Sequence, residues 1–430
     1  MSEPKNARGA AAEIIARWLE TGDFPDRLVE SDARDRPFIV EVVYGVAKWR
    51  RELEWIARRL SDNVPERPLL AYLMVGLYQA FHMSGVVDYA GVNETVEAAK
   101  QRFPQRSAGF VNAVLRRALR EQGALRERLD AQSLGVRESH PDLLVRRWVK
   151  RYGQRSTLAL CRWNNERADI VIRVHTARVA LMDYVQRLRG DGIQADPHPF
   201  RPDCCLTLSH GVRIAELPGY DEGLFAVQDP STLVAVDLLN PRPGESVLDA
   251  CAAPGGKTAL IAERMEGQGR LIATDVHEDR LAVLRDNLRR TGAAFASVAQ
   301  ADAADPEALK RASGVDHFDA VLLDVPCTNT GVLRRRPDAR WRFSLSRLAK
   351  LTAAQHALLE GAASLVRPGG RLVYSTCSLE PEEGEALLAA WLKAHPDFAR
   401  GTEIGLFPPS TATDGAYAAL LQRLAQARNA

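Results

Sequence analysis

The chain is predicted to be multidomain: an all-α N-terminal part, a small mixed α/β module, and a C-terminal α/β domain with a doubly wound, mostly parallel sheet. Three observations predict this. Through about residue 130, apolar residues recur at helical spacing and no strand pattern intervenes. Between about 140 and 235, short helical and strand-like runs mix with proline-rich turns. From about 236 the rhythm becomes apolar strand, turn, helix, which implies βαβ crossovers and parallel pairing. The expected divisions are 1–135, 136–235 and 236–430.

In the first part, helices are expected over Ala10–Leu19, Phe38–Trp49, Leu53–Leu60, Leu69–Phe81, Val92–Lys100 and Gly109–Leu119. Breaks are expected at Gly22-Asp23, at Asp62-Asn63 with Pro65, at Gly85 and at Phe103-Pro104. A division follows near Ser139-His-Pro141. In the module, Leu143–Tyr152 and Ala180–Leu188 are expected to be helical, Ile170–Val174 a strand and 196–202 a proline-rich loop. In the last part, strands are expected at Ser246–Asp249, Arg270–Asp275, Ser297–Asp302, Ala320–Asp324 and Arg371–Ser375. The helices between them are Lys257–Met265, Glu278–Arg290, Pro306–Ala312 and Leu345–Val366.

A chain of 430 residues can bury a sizeable core. Its 57 basic and 55 acidic residues leave a net charge of +2, so the balance alone does not argue for nucleic acid. Six cysteines at 161, 204, 205, 251, 327 and 377 form no Cys-x-x-Cys pair, which argues against zinc. Free thiols in a large chain fit a reducing cytosol, and a cytoplasmic location is expected. The N-terminus has an early acid and no apolar run, so no signal peptide is expected. The longest apolar stretch, Leu69–Phe81, is too short to span a bilayer. No heptad pattern or broad apolar helix face stands out, and a monomer is expected.

The chemistry is expected at the carboxyl ends of the C-terminal strands, where open α/β sheets bind ligands. Asp249-Ala-Cys-Ala-Ala-Pro-Gly-Gly-Lys257 joins a strand to a helix, and its glycines admit a ligand close to the backbone. A P-loop needs glycine where Cys251 stands, so a phosphate cradle is excluded. Exposed amides at a helix start still suit a carboxylate or a nucleoside. Asp275 ends the next strand, 26 residues after Asp249, where a carboxylate can accept from both ribose hydroxyls. Asp302, at the end of the third strand, could meet a base. Any one of these acids alone reads as a turn or cap residue; three at successive strand ends point to a nucleoside ligand without a phosphate cradle. S-adenosylmethionine fits that description.

Two thiols sit in Asp324-Val-Pro-Cys327 and in Ser375-Thr-Cys377, each after an apolar strand. An isolated free cysteine is usually a small buried hydrophobe. Two at the edge of one sheet suggest covalent catalysis, since a thiolate adding to carbon 6 of a pyrimidine turns carbon 5 into a nucleophile.

These stretches resemble the signature motifs of RNA 5-methylcytosine methyltransferases, the RsmB (Fmu/Sun) and NSUN group. The N-terminal part resembles the NusB-like RNA-binding domain of the bacterial branch, through Asp35-Arg-Pro-Phe38, Val43-Tyr-Gly45, Gly76-Leu-Tyr-Gln79, Val92-Asn-Glu-Thr-Val96 and Val111-Asn-Ala-Val-Leu-Arg-Arg117. Phe225-Ala-Val-Gln-Asp-Pro-Ser231 and Asp414-Gly-Ala-Tyr417 extend the likeness over nearly the whole chain. The resemblance implies a Rossmann-like class I methyltransferase domain that uses S-adenosylmethionine on RNA, with 16S ribosomal RNA as substrate. It implies a cofactor turn of Cys251, Ala252, Ala253, Pro254, Gly255, Gly256 and Lys257, with Asp275 toward the ribose, Asp302 toward the adenine and Asp324 nearest the target base. It implies Cys377 as nucleophile and Cys327 as the thiol that helps release product; Lys257, at the end of the cofactor turn, is expected to orient Asp324. Where the group usually reads Asp-Ala-Pro-Cys-Ser-x-x-Gly, this chain has Asp324-Val-Pro-Cys-Thr-Asn-Thr-Gly331. The vicinal Cys204-Cys205 match no motif of the group.

RNA is expected to meet the basic run after Cys327: Arg334, Arg335, Arg336, Arg340, Trp341 and Arg342, extended by Arg347 and Lys350. Arg116, Arg117, Arg120, Arg126 and Arg128 form a weaker cluster with the spacing of a plain helical face, and Trp163-Asn-Asn165 with Arg173 is a further candidate contact. Competing readings are a transfer RNA cytosine-5 methyltransferase, a methyltransferase acting on an exocyclic amine, and a non-catalytic NusB-like RNA-binding assembly factor. The amine enzymes favour Asn/Asp-Pro-Pro-Tyr where this chain has Asp324-Val-Pro-Cys327.

Overall fold

The computed structural model describes residues 6–22, 35–61, 65–83 and 88–425. The expected breaks at Asp23, Asp62-Asn63 and Gly85 lie outside them. By compactness the chain divides into two units, one of Met1–Glu166 with Leu333–Phe343 and one of Arg167–Val332 with Ser344–Ala430.

The first unit is helical. It contains α1 (Ala7–Thr21), α2 (Arg36–Leu60), α3 (Arg67–His82), α4 (Asp88–Arg102), α5 (Gln105–Arg120), α6 (Gln122–Asp130), α7 (Leu134–Arg137) and α8 (Asp142–Asn165). Ile15, Val42, Leu53, Leu73, Val75, Val111 and Leu115 are fully buried in one core, each from the apolar stripe of its helix. The expected helices 38–49 and 53–60 are one rod, because Arg50-Arg51-Glu52 carries no breaker and its polar groups are used. Arg51 pairs with Asp142, and Glu52 meets His82 at 2.9 Å. α8 carries a non-helical Gly153 at φ +80, so two helices meet there, and the second one, through Trp163-Asn-Asn165, was not expected.

The second unit begins with β1 (Ile170–Val174), α9 (Leu181–Gly190), β2 (Ala195–Pro197), β3 (Cys205–Leu208) and β4 (Phe225–Val227). The strands form an antiparallel sheet in the order β2-β3-β1-β4. Tyr184, Val185 and Leu188 of α9 close its apolar face against Ile172, Val174 and Leu206. The expected loop at 196–202 starts as strand β2, since Asp196-Pro197 continues the pairing with Leu206 and Thr207; proline is tolerated because β2 is an edge.

Then follow α10 (Leu233–Leu239), β5 (Ser246–Asp249), α11 (Gly256–Arg264), β6 (Arg270–Asp275), α12 (Glu278–Arg290), β7 (Ser297–Gln300), α13 (Pro306–Ser313) and β8 (Phe318–Asp324). After α14 (Ala339–Arg342), which belongs to the first unit, come α15 (Leu345–Ser364), β9 (Val366–Thr376), α16 (Glu385–Ala394), β10 (Phe398–Leu406), α17 (Pro408–Thr411) and β11 (Ala416–Arg423). The sheet order is β10-β11-β9-β8-β5-β6-β7, parallel from β9 to β7, with β11 and β10 antiparallel.

Side chains alternate across this sheet. Val247, Leu271, Ala273 and Leu322 face α10, α11 and α12, whereas Leu248, Ile272, Val321 and Leu323 face α13, α15 and α16. Both faces are therefore covered, which a parallel sheet requires. The chain returns to β5 from both sides, through β6 and through β8. The crevice beyond the carboxyl ends of β5 and β8 is the topological switch point of the fold.

Candidate active site

Three acids end three strands at this edge: Asp249 on β5, Asp275 on β6 and Asp324 on β8. Asp249 is fully buried and accepts from the Thr258 hydroxyl at 2.7 Å. Burial pushes its carboxyl up to about 7, opposed by the Thr258 hydrogen bond. The turn after β5 is pinned by the Ala252 amide donating to the Thr274 carbonyl at 2.8 Å. Gly255 closes it at φ +104, where a Cβ would meet Leu284 Cδ1 at 2.5 Å. Asp275 is buried, accepts from the His277 amide at 3.1 Å and lies 3.2 Å from Arg280. Arg280 also donates to the Ala253 carbonyl at 2.6 Å, so one side chain ties the β5 turn to the β6 end. Asp302 is exposed two residues beyond β7 and accepts from the Ala304 amide at 2.9 Å. Cys251, in the turn, has its thiol pushed far up by burial and by Asp249 and Asp275.

Lys257, in the first turn of α11, donates to Asp324 Oδ2 at 2.6 Å, and the Ser375 hydroxyl donates to Asp324 Oδ1 at 2.8 Å. Burial lowers the Lys257 pKa, but the charge and hydrogen bond of Asp324 outweigh it, so the ammonium is held charged. Beside this pair, the sulfurs of Cys327 and Cys377 lie 3.2 Å apart. The two loops that carry them are stitched together. The Gly331 amide donates to the Cys377 carbonyl at 2.9 Å, and a Cβ on Gly331 would meet the carbonyls of Cys377 and Gly415 at 2.6 Å. The Cys377 thiol is held well above its ordinary pKa, first by the hydrogen bond with Cys327, then by burial and the charge of Asp324; Lys257 opposes the shift. The thiol is therefore protonated at neutral pH in this arrangement.

Sequence reasoning missed the group under these loops. Glu383 is fully buried and accepts from the Thr328 amide at 2.9 Å, from Gln355 at 3.0 Å and from the hydroxyls of Thr328 and Ser378. Thr328 follows one cysteine and Ser378 the other, so a single carboxylate holds both loops. Its only sequence signal, the acidic run Glu380-Pro-Glu-Glu383, reads as solvated charge.

The basic run corrects an expectation. Arg340 is fully buried, donating to the carbonyls of Lys48, Ser139 and Asn164 and to Asn165 Oδ1 at 2.9 Å. Trp341 packs on the helical core and donates to the Ala47 carbonyl at 2.6 Å, with Arg50 over its ring. Arg334 is buried over Trp163, and Arg342 pairs with Asp338 at 2.7 Å. Four of the six residues expected to meet RNA therefore serve the helical unit: Arg340 and Trp341 through backbone carbonyls, Arg334 through the Trp163 ring and Arg342 through Asp338. Arg335 is half-buried; Arg336, Arg347 and Lys350 are exposed. Two other candidate contacts are also structural. Arg173 is buried against Gln228, Glu263 and His175, and Asn164 is buried against His140. Cys204 and Cys205 are buried with their sulfurs 3.9 Å apart. Among the described residues no cluster of three potential metal ligands occurs, and no helix is long and apolar enough to cross a membrane.

The 16S rRNA methyltransferase RsmB/F family model matches residues 236–422, the NusB family model matches 5–120, and a ferredoxin-like domain of RsmF/B-like methyltransferases matches 140–215. The ribosomal RNA small subunit methyltransferase B of Sodalis glossinidius is 34% identical, over 98% of this chain and 99% of its own. The enzyme of the same name from Vibrio cholerae is 34% identical over 97% and 98%. The crystal structure of the protein PH0851 superimposes with a TM-score of 0.79 at 26% identity, covering 98% of this chain and 100% of that one. A methyltransferase homologue from Pyrococcus horikoshii gives 0.58 at 29% identity, over 68% of this chain and 98% of its own. The chain belongs to the RsmB/F family of ribosomal RNA methyltransferases, with a NusB-like helical domain, a ferredoxin-like module and a Rossmann-like methyltransferase domain.

Proposed function

We propose that this protein methylates carbon 5 of a cytidine in 16S ribosomal RNA, through a transient bond between Cys377 and carbon 6 of the ring. One observation carries the reading: two thiols 3.2 Å apart at the carboxyl edge of the sheet, beside the Lys257–Asp324 pair. A site for an exocyclic amine has no use for either sulfur.

The crevice suits S-adenosylmethionine, which supplies an electrophilic methyl group. Asp275 Oδ2 is buried and, among the described residues, has only its ion pair with Arg280 at 3.2 Å and no hydrogen bond, which leaves it capacity to accept from a ribose hydroxyl. The turn Cys251–Lys257 would take the amino-acid end, and Asp302, exposed beyond β7, would face the adenine. The target cytidine leaves its stack to reach the edge. Cys377 gives its thiol proton to a solvent base and adds to carbon 6, and the negative charge that moves into the ring is met at N3 by a proton shared with Asp324. The Lys257 ammonium offsets that charge. Once carbon 5 carries the methyl group, its proton is lost to solvent, the carbon 5–carbon 6 double bond reforms, and the carbon 6–sulfur bond breaks with the help of Cys327, returning its electron pair to Cys377. Arg335, Arg336, Arg347 and Lys350 remain as RNA phosphate contacts. The protein works as a monomer in the cytoplasm, without metal.

The test is transfer of labelled methyl groups to 16S ribosomal RNA from a strain lacking the gene, followed by bisulfite sequencing. Label at one protected cytidine is expected. Label on an exocyclic amine, or in transfer RNA alone, contradicts the reading.

A further inference from the structure

Asn329 stands between the two sulfurs. Its Oδ1 lies 3.2 Å from Cys377 Sγ and 3.8 Å from Cys327 Sγ, and its backbone amide donates to Cys327 Sγ at 3.4 Å. It adopts φ +61, a left-handed conformation that asparagine tolerates better than most side chains, so the backbone aims the carboxamide at the thiols. It occupies one of the two unspecified positions of the Pro-Cys motif, Asp324-Val-Pro-Cys-Thr-Asn-Thr-Gly331, where nothing in the family pattern calls for an amide.

We propose that Asn329 is a further catalytic residue, whose carboxamide accepts from the Cys377 thiol at rest and donates to the thiolate when it forms. A carboxamide carries an acceptor and a donor on one planar group, and a half-turn about its last torsion exchanges them. In the resting arrangement Oδ1 shares the Cys377 S–H with Cys327 Sγ, each 3.2 Å from Cys377 Sγ. When the proton leaves to a solvent base, the electron pair stays on sulfur, and Nδ2 replaces Oδ1 as the hydrogen-bonding atom. The backbone amide of the same residue does the equivalent for Cys327. No bond is made or broken apart from S–H. This asymmetry answers a difficulty of the site: Asp324 and the neighbouring sulfur both oppose a negative charge on Cys377, and Lys257 alone is already engaged.

The inference rests on Cys377 being the nucleophile, and its test needs neither RNA nor methyl donor. The full chain is alkylated with iodoacetamide across pH 6–10, and the rate of Cys377 modification is followed by peptide mass spectrometry; below the midpoint this rate is proportional to the thiolate fraction, so a shift of the midpoint is read as a change in rate. Asn329→Asp places a carboxylate against the sulfur and should move the midpoint up by about one unit or more, roughly tenfold slower alkylation below both midpoints. Asn329→Ala should move it in the same direction by less, and Asn329→Ser, which keeps a rotatable donor, should recover part of the loss. Matched thermal midpoints establish that the variants are folded. Midpoints for Asp and Ala variants equal to that of the parent protein overturn the proposal. Shifted midpoints in a protein that transfers no methyl group support the proposal and contradict the proposed function instead.

Discussion

Asp249 shows how much one carboxyl can be made to do by burial. Its folded-state pKa is raised from the usual range to about 7, mainly by desolvation. The folded chain therefore binds a proton that the unfolded chain has released, and the resulting stability is present below about pH 4 and lost as pH rises through 7. Asp249→Asn keeps the acceptor for Thr258 but removes the charge. It should raise the unfolding midpoint more at pH 8 than at pH 5, as thermal denaturation would show; an equal gain at both values contradicts the assignment. At this scale the site was largely legible. Asp324, Cys327 and Cys377 could be grouped because they stood at or just after successive strands, and Lys257 because it closed the turn after another; the structure brings the four together, while their separate roles came from the family resemblance. Arg173, Arg340 and Trp341 were misread for a physical reason. Composition shows a charge but not the carbonyls and carboxylates that will surround it, and a buried arginine looks in sequence like a phosphate contact.

At the scale of elements, the catalytic loops are held by a carboxylate from the turn after β9. Glu383→Ala would leave the donors of Thr328, Gln355 and Ser378 without their acceptor. Each buried donor left unmet costs about 1–3 kcal/mol, so a loss on the order of 3 kcal/mol or more is expected in denaturant titration. A loss below about 1 kcal/mol, within the usual range of surface substitutions, shows that the loops do not depend on it. The parallel strands and their helices were legible because each pairs an apolar run with a turn and an amphipathic stretch. β11 was not. Ala416-Tyr-Ala-Ala-Leu-Leu-Gln-Arg423 is rich in helix formers, yet it lies between β9 and β10, where ladder hydrogen bonds and burial on both faces override propensity. β10 is broken by Gly401 and Gly405 and carries a register shift between Arg400 and Glu403, so no alternation marks it.

For the molecule as a whole, sheet order explains why residues from four stretches of chain meet. β9, β8, β5 and β6 are four consecutive parallel strands of the sheet, so Asp249, Asp275, Asp324 and Cys377 fall on one edge although 128 residues separate the first from the last. The division into all-helical, mixed and α/β parts could be read from changing periodicity alone. The assignment of Leu333–Phe343 to the helical unit could not, because it depends on the burial of Arg340 and Trp341 far along the chain from their partners. The proposed chemistry turns above all on which sulfur bonds to the pyrimidine. Purified Cys327→Ala and Cys377→Ala proteins, each mixed with S-adenosylmethionine and a cytidine-containing 16S transcript, would be resolved on a denaturing gel. The account predicts a slow-migrating protein–RNA adduct with Cys327→Ala, and neither adduct nor methylation with Cys377→Ala. An adduct with Cys377→Ala, or undiminished turnover without that thiol, would contradict it.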